Sequence, residues 1–246
     1  MLEAVLKFRD SIHNKYNLNI TKFKTLSGLA LGIYTSKYIP SNLKPKLKMI
    51  KGGLEKKFRS SYFGGNVEVF INLITSGYLY DMNSQYSKAM LKDMPIGNPT
   101  LSFESNLDNI FGFVYGEIKC PNESELQVPF IQARDSFYSN IKCPRGKFKR
   151  LIFSEEIKYA IKFGYKINIE YSYLFERGKD LFTDFVNEHY KIKKSTKDPV
   201  QKNISKLILN SLYGRLGINE TGDTLEIVDK DSIKNLDKNT HISVIS

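Results

Sequence analysis

Tryptophan is absent from this chain of 246 residues, and cysteine and histidine are scarce, at two and three residues. Cys120 and Cys143 each precede a proline, form no CxxC pair and have no histidine cluster nearby, so neither a zinc site nor a disulfide framework is indicated. His13, His189 and His241 are as scattered, which leaves a histidine-based metal or general-base site without support. Acidic residues are also in deficit, 26 Asp+Glu against 37 Lys+Arg, giving a formal charge of +11. Such a surface attracts polyanions before any specific contact is made, and nucleic acid becomes the leading class of partner. No apolar run approaches the ~20 residues needed to span a bilayer. The stretch from Met1 to Asp10 lacks secretory or arginine-rich transit character, so the expectation is a soluble chain with no membrane partner.

What is present is enough apolar material, 41% of residues, for one sizeable domain or two small ones. Apolar spacing predicts a helix from Leu2 to Tyr16 and another over Thr25 to Tyr34. A basic linker follows to Arg59, with Lys37, Lys44, Lys46, Lys48, Lys51, Lys56, Lys57 and Arg59 set against Glu55 alone. Its prolines and glycines read equally well as a loop and as a phosphate-contacting stretch. From Tyr62 the pattern switches to alternation, predicting strands over 66–71, 77–81, 111–118 and 128–131. Ser154 to Gly164 reads as a capped helix, and Leu181 to Tyr190 as a further one. Strands are expected again over 224–228 and 241–245, and no internal repeat is evident.

The most informative stretch is Lys206-Leu-Ile-Leu-Asn210-Ser211-Leu-Tyr213-Gly214-Arg215. At ~100° per residue, Lys202, Lys206, Asn210 and Tyr213 fall on one narrow stripe of a helix. Leu209, Leu212 and Leu216 cluster on another arc, with Ile208 at its edge, and predict a packing seam. An amphipathic surface helix also carries lysines outside and leucines inside. Asn, Ser and Gly, however, are mediocre helix residues that a purely structural helix has little reason to collect. Lys206 and Tyr213 would stand ~10 Å apart along the axis, the scale of a nucleotide from phosphates to base.

This run resembles the fingers-helix signature of family B DNA polymerases, Lys-x3-Asn-Ser-x-Tyr-Gly. Earlier, Asp81-Met82-Asn83-Ser84-Gln85-Tyr86 resembles the same family's palm motif Asp-x-x-Ser-Leu-Tyr-Pro, with Gln85 in place of leucine and Ser87 in place of proline. An aspartate after an apolar stretch is by itself an ordinary turn residue, but two motifs in family order make coincidence improbable. Ser61-Tyr62-Phe63-Gly64-Gly65 is a third match, to the Tyr-x-Gly-Gly element that touches single-stranded template, although a lone YxGG is also what a hairpin turn looks like. The interval between Asp81 and Lys206 is similar to that of the protein-primed branch, found in small phages and in linear plasmids of mitochondria.

The resemblance implies a right-hand polymerase of α+β class, here its palm and fingers portion with an incomplete sheet. Its divisions would be 1–60 as a helical tail of an exonuclease-like region plus linker, 61–130 as palm, 131–190 as an insertion for terminal protein, 191–217 as fingers helix and 218–246 as the start of a second palm hairpin. It implies Mg²⁺ held by Asp81 and the Met82 carbonyl. Nucleotide contacts would come from Tyr86, Lys194, Lys202, Lys206, Asn210 and Tyr213, and DNA contacts from Tyr62, Gly64, Gly65, Ser84, Ser211 and Gly214. Template-primer DNA, deoxynucleoside triphosphates and a terminal protein are the implied partners, and the mitochondrion the implied location.

The family's second palm carboxylate, from a Tyr-x-Asp-Thr-Asp-Ser turn, is missing. Gly222-Asp223-Thr224-Leu225 lacks the second aspartate, and the exonuclease Asp-x-Glu pair is not found either. Two-metal nucleotidyl transfer needs both palm carboxylates. The chain is therefore expected to be an internal fragment with little activity alone, completed by a continuing frame or a separate polypeptide. The alternative is a non-catalytic DNA-binding remnant of a plasmid polymerase.

Overall fold

The computed structural model describes residues 2–44, 47–48, 50–69, 71–134 and 141–218. Helices and a four-stranded antiparallel sheet segregate into two cores, an α+β arrangement.

The helical core is built from both ends of the described chain. Helix α1 (Leu2–Tyr16) and helix α2 (Leu26–Ile33) come from the N-terminal side. Thr25 starts α2 by accepting a hydrogen bond from the Gly28 amide at 3.1 Å, and the apolar run behind it buries Leu29, Ala30 and Ile33. Helix α6 (Thr183–Ser195) and helix α7 (Pro199–Gly217) close the bundle, burying Phe185, Val186, Ile208, Leu209 and Leu212 against them. The Tyr34 hydroxyl donates to the Leu181 carbonyl at 2.9 Å, and this satisfies a buried phenol that spans the two ends of the sequence.

Between these ends lies the sheet, in order β1-β6-β2-β5, with β1 Met94–Ser102, β2 Gly112–Lys119, β5 Lys147–Phe153 and β6 Lys166–Gly178. The two-residue strands β3 (Ala133–Arg134) and β4 (Ile141–Lys142) pair separately. Helix α5 (Ser154–Ile161) covers one face, where Ile157 and Ala160 pack on Val114, Ile118 and Ile152. Along β6, Tyr171 opposes Tyr115 but Ile169 opposes the next residue, Gly116. This bulge at Glu170 changes the side-chain parity. Ile167 and Ile169 thus join the core while Tyr171 and Tyr173 turn to the other face. Gly116 is required at that point, since a Cβ there would collide with the Asn168 carbonyl. Helix α3 (Gly53–Ser60) partly covers this second face, its Phe58 ring lying 4.8 Å from Phe113 and 5.3 Å from Tyr173.

Several expectations from the sequence change here. The basic linker contains α3, and the sheet takes strands from either side of residue 130, so the expected division between 61–130 and 131–190 cuts through one structural unit. Residues 128–131 are not a strand. Ser154 is the first residue of its helix and not its cap; its hydroxyl accepts from the Gly112 amide at 3.2 Å and ties helix to sheet. The stretches 66–69, 71 and 77–81 are irregular and exposed, with Val67 at 92% and Leu79 at 98% exposure. Alternation marks a strand only where a neighbour completes its ladder, and no described strand pairs with this segment. The expected strands at 224–228 and 241–245, and the expected hairpin over 218–246 beyond Ile218, lie outside the described residues.

Candidate functional site

The fingers helix expected over 191–217 is divided: its first residues finish α6 at Ser195, and α7 starts only at Pro199, after a break at Thr196–Asp198. The Asp198 side chain accepts from the Val200 amide at 2.9 Å and Pro199 occupies the first turn, where its missing N–H costs nothing. Its buried stripe is Ser205, Ile208, Leu209 and Leu212. Leu216, expected in that seam, is instead half exposed, because the bundle ends before it. Lys202, Lys206 and Asn210 are exposed on the opposite side, with Tyr213 half-buried below them and Gly214 exposed.

Tyr86 comes from helix α4 (Gln85–Met90), which is entered through Ser84 in a left-handed conformation, φ 54° and ψ 41°. That turn swings the chain out of the exposed segment and sets α4 beside α7. Tyr86 and Tyr213 then stack, ring centroids 4.5 Å apart and planes 12° from parallel. The two motifs, distant in sequence, thus meet ring to ring.

The Tyr62-Phe63-Gly64-Gly65 segment closes the third side. A Cβ on Gly65 would lie 3.6 Å from the Tyr86 hydroxyl, and one on Gly217 would lie 2.6 Å from the Tyr62 hydroxyl. Arg59 donates to the carbonyls of Gly217 and Ile218 at 3.3 and 3.1 Å, satisfying the end of α7, while Glu55 holds its guanidinium at 2.9 Å.

Two participants escaped the sequence reading. Arg59 carried no motif, since a helix-end contact between distant segments leaves no local signature. Lys193 donates to the Ser84 hydroxyl at 3.3 Å, whereas its neighbour Lys194, the residue singled out from the sequence, is exposed. The helical period held a clue: Phe185, His189 and Lys193 follow at steps of four on the inward side of α6.

Asp81 stands apart from a completed centre. It lies in the irregular exposed segment rather than at a strand end, and Met82 beside it is 63% exposed. Among the described residues no three of His, Cys, Asp and Glu gather as metal ligands. One exposed carboxylate does not make a two-metal clamp, so the described residues do not fit a bound magnesium pair by themselves.

The profile described as "DNA polymerase type B, organellar and viral" matches residues 1–244. The chain belongs to this family. The "Probable DNA polymerase" of Agaricus bitorquis is 38% identical over the whole of this chain, and the DNA polymerase of Bacillus phage phi29 is 32% identical over 68% of it. The chain spans only 32% and 31% of the length of those two relatives. The crystal structure of the phi29 polymerase superposes with a TM-score of 0.64 over 88% of this chain and 39% of its own, at 22% identity, which speaks for the fold alone. A phi29 complex with primer-template DNA and incoming nucleotide matches with the same score. No helix among the described residues of this family B chain is long and apolar enough to cross a membrane.

Proposed function

We propose that this chain forms the nucleotide- and template-binding part of a protein-primed DNA polymerase, uniting palm and fingers elements around one incoming nucleotide. The observation that supports this reading is the Tyr86–Tyr213 stack, since Tyr86 follows Asp81 in one motif and Tyr213 shares a helical stripe with Lys202, Lys206 and Asn210 in the other. Lys206, Lys202 and Lys194 bind the triphosphate as cations, and Asn210 and Tyr213 attend the sugar and base. Tyr86 lies under the sugar. Ser84, Ser211, Gly214 and the Tyr62–Gly65 element follow the template.

In this reading Asp81 and the Met82 carbonyl contribute one part of a magnesium site. A second carboxylate must come from elsewhere, and the chain alone extends primers poorly or not at all. The 131–190 region, which supplies β5 and β6 to the sheet and the start of α6 to the helical bundle, meets the terminal protein. The organellar members that the family description names, together with the fungal relatives, support replication of a mitochondrial plasmid or genome as the setting.

The test is binding of a fluorescent deoxynucleoside triphosphate with Mg²⁺ to the parent chain and to Lys206→Ala. Loss of about tenfold or more in affinity is expected, from one charged contact of ~1.5–3 kcal/mol. Equal binding would sink the assignment. The formal charge of +11 and the exposed Asp81 support the second reading, a DNA-binding remnant. That reading predicts DNA binding that weakens steeply with salt and never responds to nucleotide.

A further inference from the structure

Helix α3 leaves part of the second sheet face open, and the opening is a cleft of about 290 Å³ between that face and the Tyr62–Gly65 segment. Its wall carries Lys57, Arg134, Lys149 and Arg150 and, among the described residues that line it, no carboxylate. Aromatic rings alternate with these cations. Tyr115 and Tyr171 stack across β2 and β6 at 4.9 Å with planes 17° apart, both half-buried. Lys57 lies 5.4 Å from the Tyr171 ring centre, and the guanidinium groups of Arg134 and Arg150 lie 5.2 and 4.7 Å from that of Phe63.

Structure alone does not need this arrangement. A sheet face destined for burial would carry aliphatic side chains, and one destined for water would not collect paired tyrosines in line with lysines. Cations beside flat rings are what an unpaired nucleotide strand requires, because every base has a face to stack and every phosphate a charge to neutralise. An acidic peptide would use the cations and leave the rings idle. Arg150 is already committed, donating to the Gln132 carbonyl and to Glu156 at 2.9 Å. Lys149 is held by Glu170 at 2.6 Å, an exposed pair that a phosphate can replace at little cost. Lys57 donates to the Tyr173 hydroxyl and Arg134 to the Tyr62 carbonyl, so both are aimed into the cleft by the groups beside it.

We propose that this cleft is a single-strand DNA subsite, in which Tyr115 and Tyr171 stack an unpaired base while Lys57, Lys149 and Arg134 hold the flanking phosphates. It deepens the polymerase reading, since a template supplies the strand, and it lies apart from the nucleotide-binding face of α7. Phe63 joins the two, as a member of the Tyr62–Gly65 element that also lines the cleft.

The test uses the full chain and a labelled 12-mer of thymidylate, read by fluorescence anisotropy at several salt concentrations. Tyr171→Leu is expected to weaken binding roughly tenfold, the scale of one lost base stack, and Tyr171→Phe to bind as the parent does. Lys57→Gln should flatten the salt dependence by about 0.7 in its log–log slope, one phosphate contact fewer. Nucleotide binding by Tyr171→Leu, measured alongside, separates the two readings, because it persists if only this subsite is lost. In the parent, an iodouracil-substituted oligonucleotide should photo-crosslink to the peptides carrying Tyr115 or Tyr171, a readout independent of how the variants fold. Crosslinks confined to other segments overturn the proposal. So do equal affinities for the leucine and phenylalanine variants, and so does displacement of the oligonucleotide by polyglutamate at matched charge, which would assign the cleft to an acidic protein segment.

Discussion

Tyr86 and Tyr213 stack at 4.5 Å although one belongs to a short helix after an irregular segment and the other to the last turns of a long helix. Their contact is the hinge between the two polymerase motifs. A double-mutant cycle with Tyr86→Leu and Tyr213→Leu, followed by urea unfolding, should give a coupling of about 0.5–1 kcal/mol, the lower part of the range for aromatic pairs because Tyr86 is 52% exposed. Strictly additive effects would mean that the rings do not meet in solution.

Arg59 ties the end of α7 to α3 through the carbonyls of Gly217 and Ile218. Arg59→Ala should cost roughly 1–2 kcal/mol, as expected for hydrogen bonds from a charged donor. Amide exchange in the last turn of α7 should quicken while that of α2 stays unchanged. Uniform quickening throughout the bundle would contradict a local capping role.

At Gly116 the strands β2 and β6 approach too closely for any side chain. Gly116→Ala should destabilise the protein by roughly 2–3 kcal/mol, because backbone rather than a flexible side-chain tip must move. A melting temperature within a degree of the parent's would show that the bulge absorbs the methyl group.

Burial pushes the His189 imidazole down to about 4 from its ordinary 6.5. The ring is neutral in the folded chain, where Nδ1 meets the Phe185 carbonyl at 2.8 Å and Nε2 meets the Tyr16 hydroxyl at 3.1 Å. A nitrogen that faces a carbonyl must carry the proton, so Nε2 accepts from Tyr16. The unfolded chain binds a proton below pH 6.5 and the folded chain does not until about pH 4, so stability is full above pH 6.5 and falls as the pH is lowered between them. The loss amounts to on the order of 3 kcal/mol. Lys15, Lys37 and Glu188 are the charged groups facing this ring, and the Glu188 carboxyl contributes its own loss only further down. Burial raises it, but hydrogen bonds from Lys15 and Tyr38 and the nearby lysine charges outweigh this and hold it at about 2. Unfolding midpoints measured from pH 7 to pH 4.5 should therefore fall in the parent and stay nearly level in His189→Gln. Parallel slopes for the two would refute the buried neutral histidine.

The helices were legible where the apolar period was clear, as over Leu2–Tyr16, at Leu29 and Ile33 and at Leu209 and Leu212, whereas the break at Thr196–Asp198 and the true role of Ser154 were not. The irregular segment around Val67, Leu79 and Asp81 misled because alternation records a local preference, whereas a strand exists only through a distant partner. Lys193 and Arg59 were missed for the same reason, since each acts on a residue far away in sequence.

By itself the sequence determined the charge, the helical faces and the identity of the two polymerase motifs, because composition and period are properties of neighbouring residues. Only the tertiary structure decided that Tyr86 lies on Tyr213, that one sheet runs across residue 130, and that a bulge at Glu170 turns Tyr171 towards a cationic cleft. These depend on which distant segments pack together, and packing is settled by the summed burial of the whole chain rather than by any stretch of it.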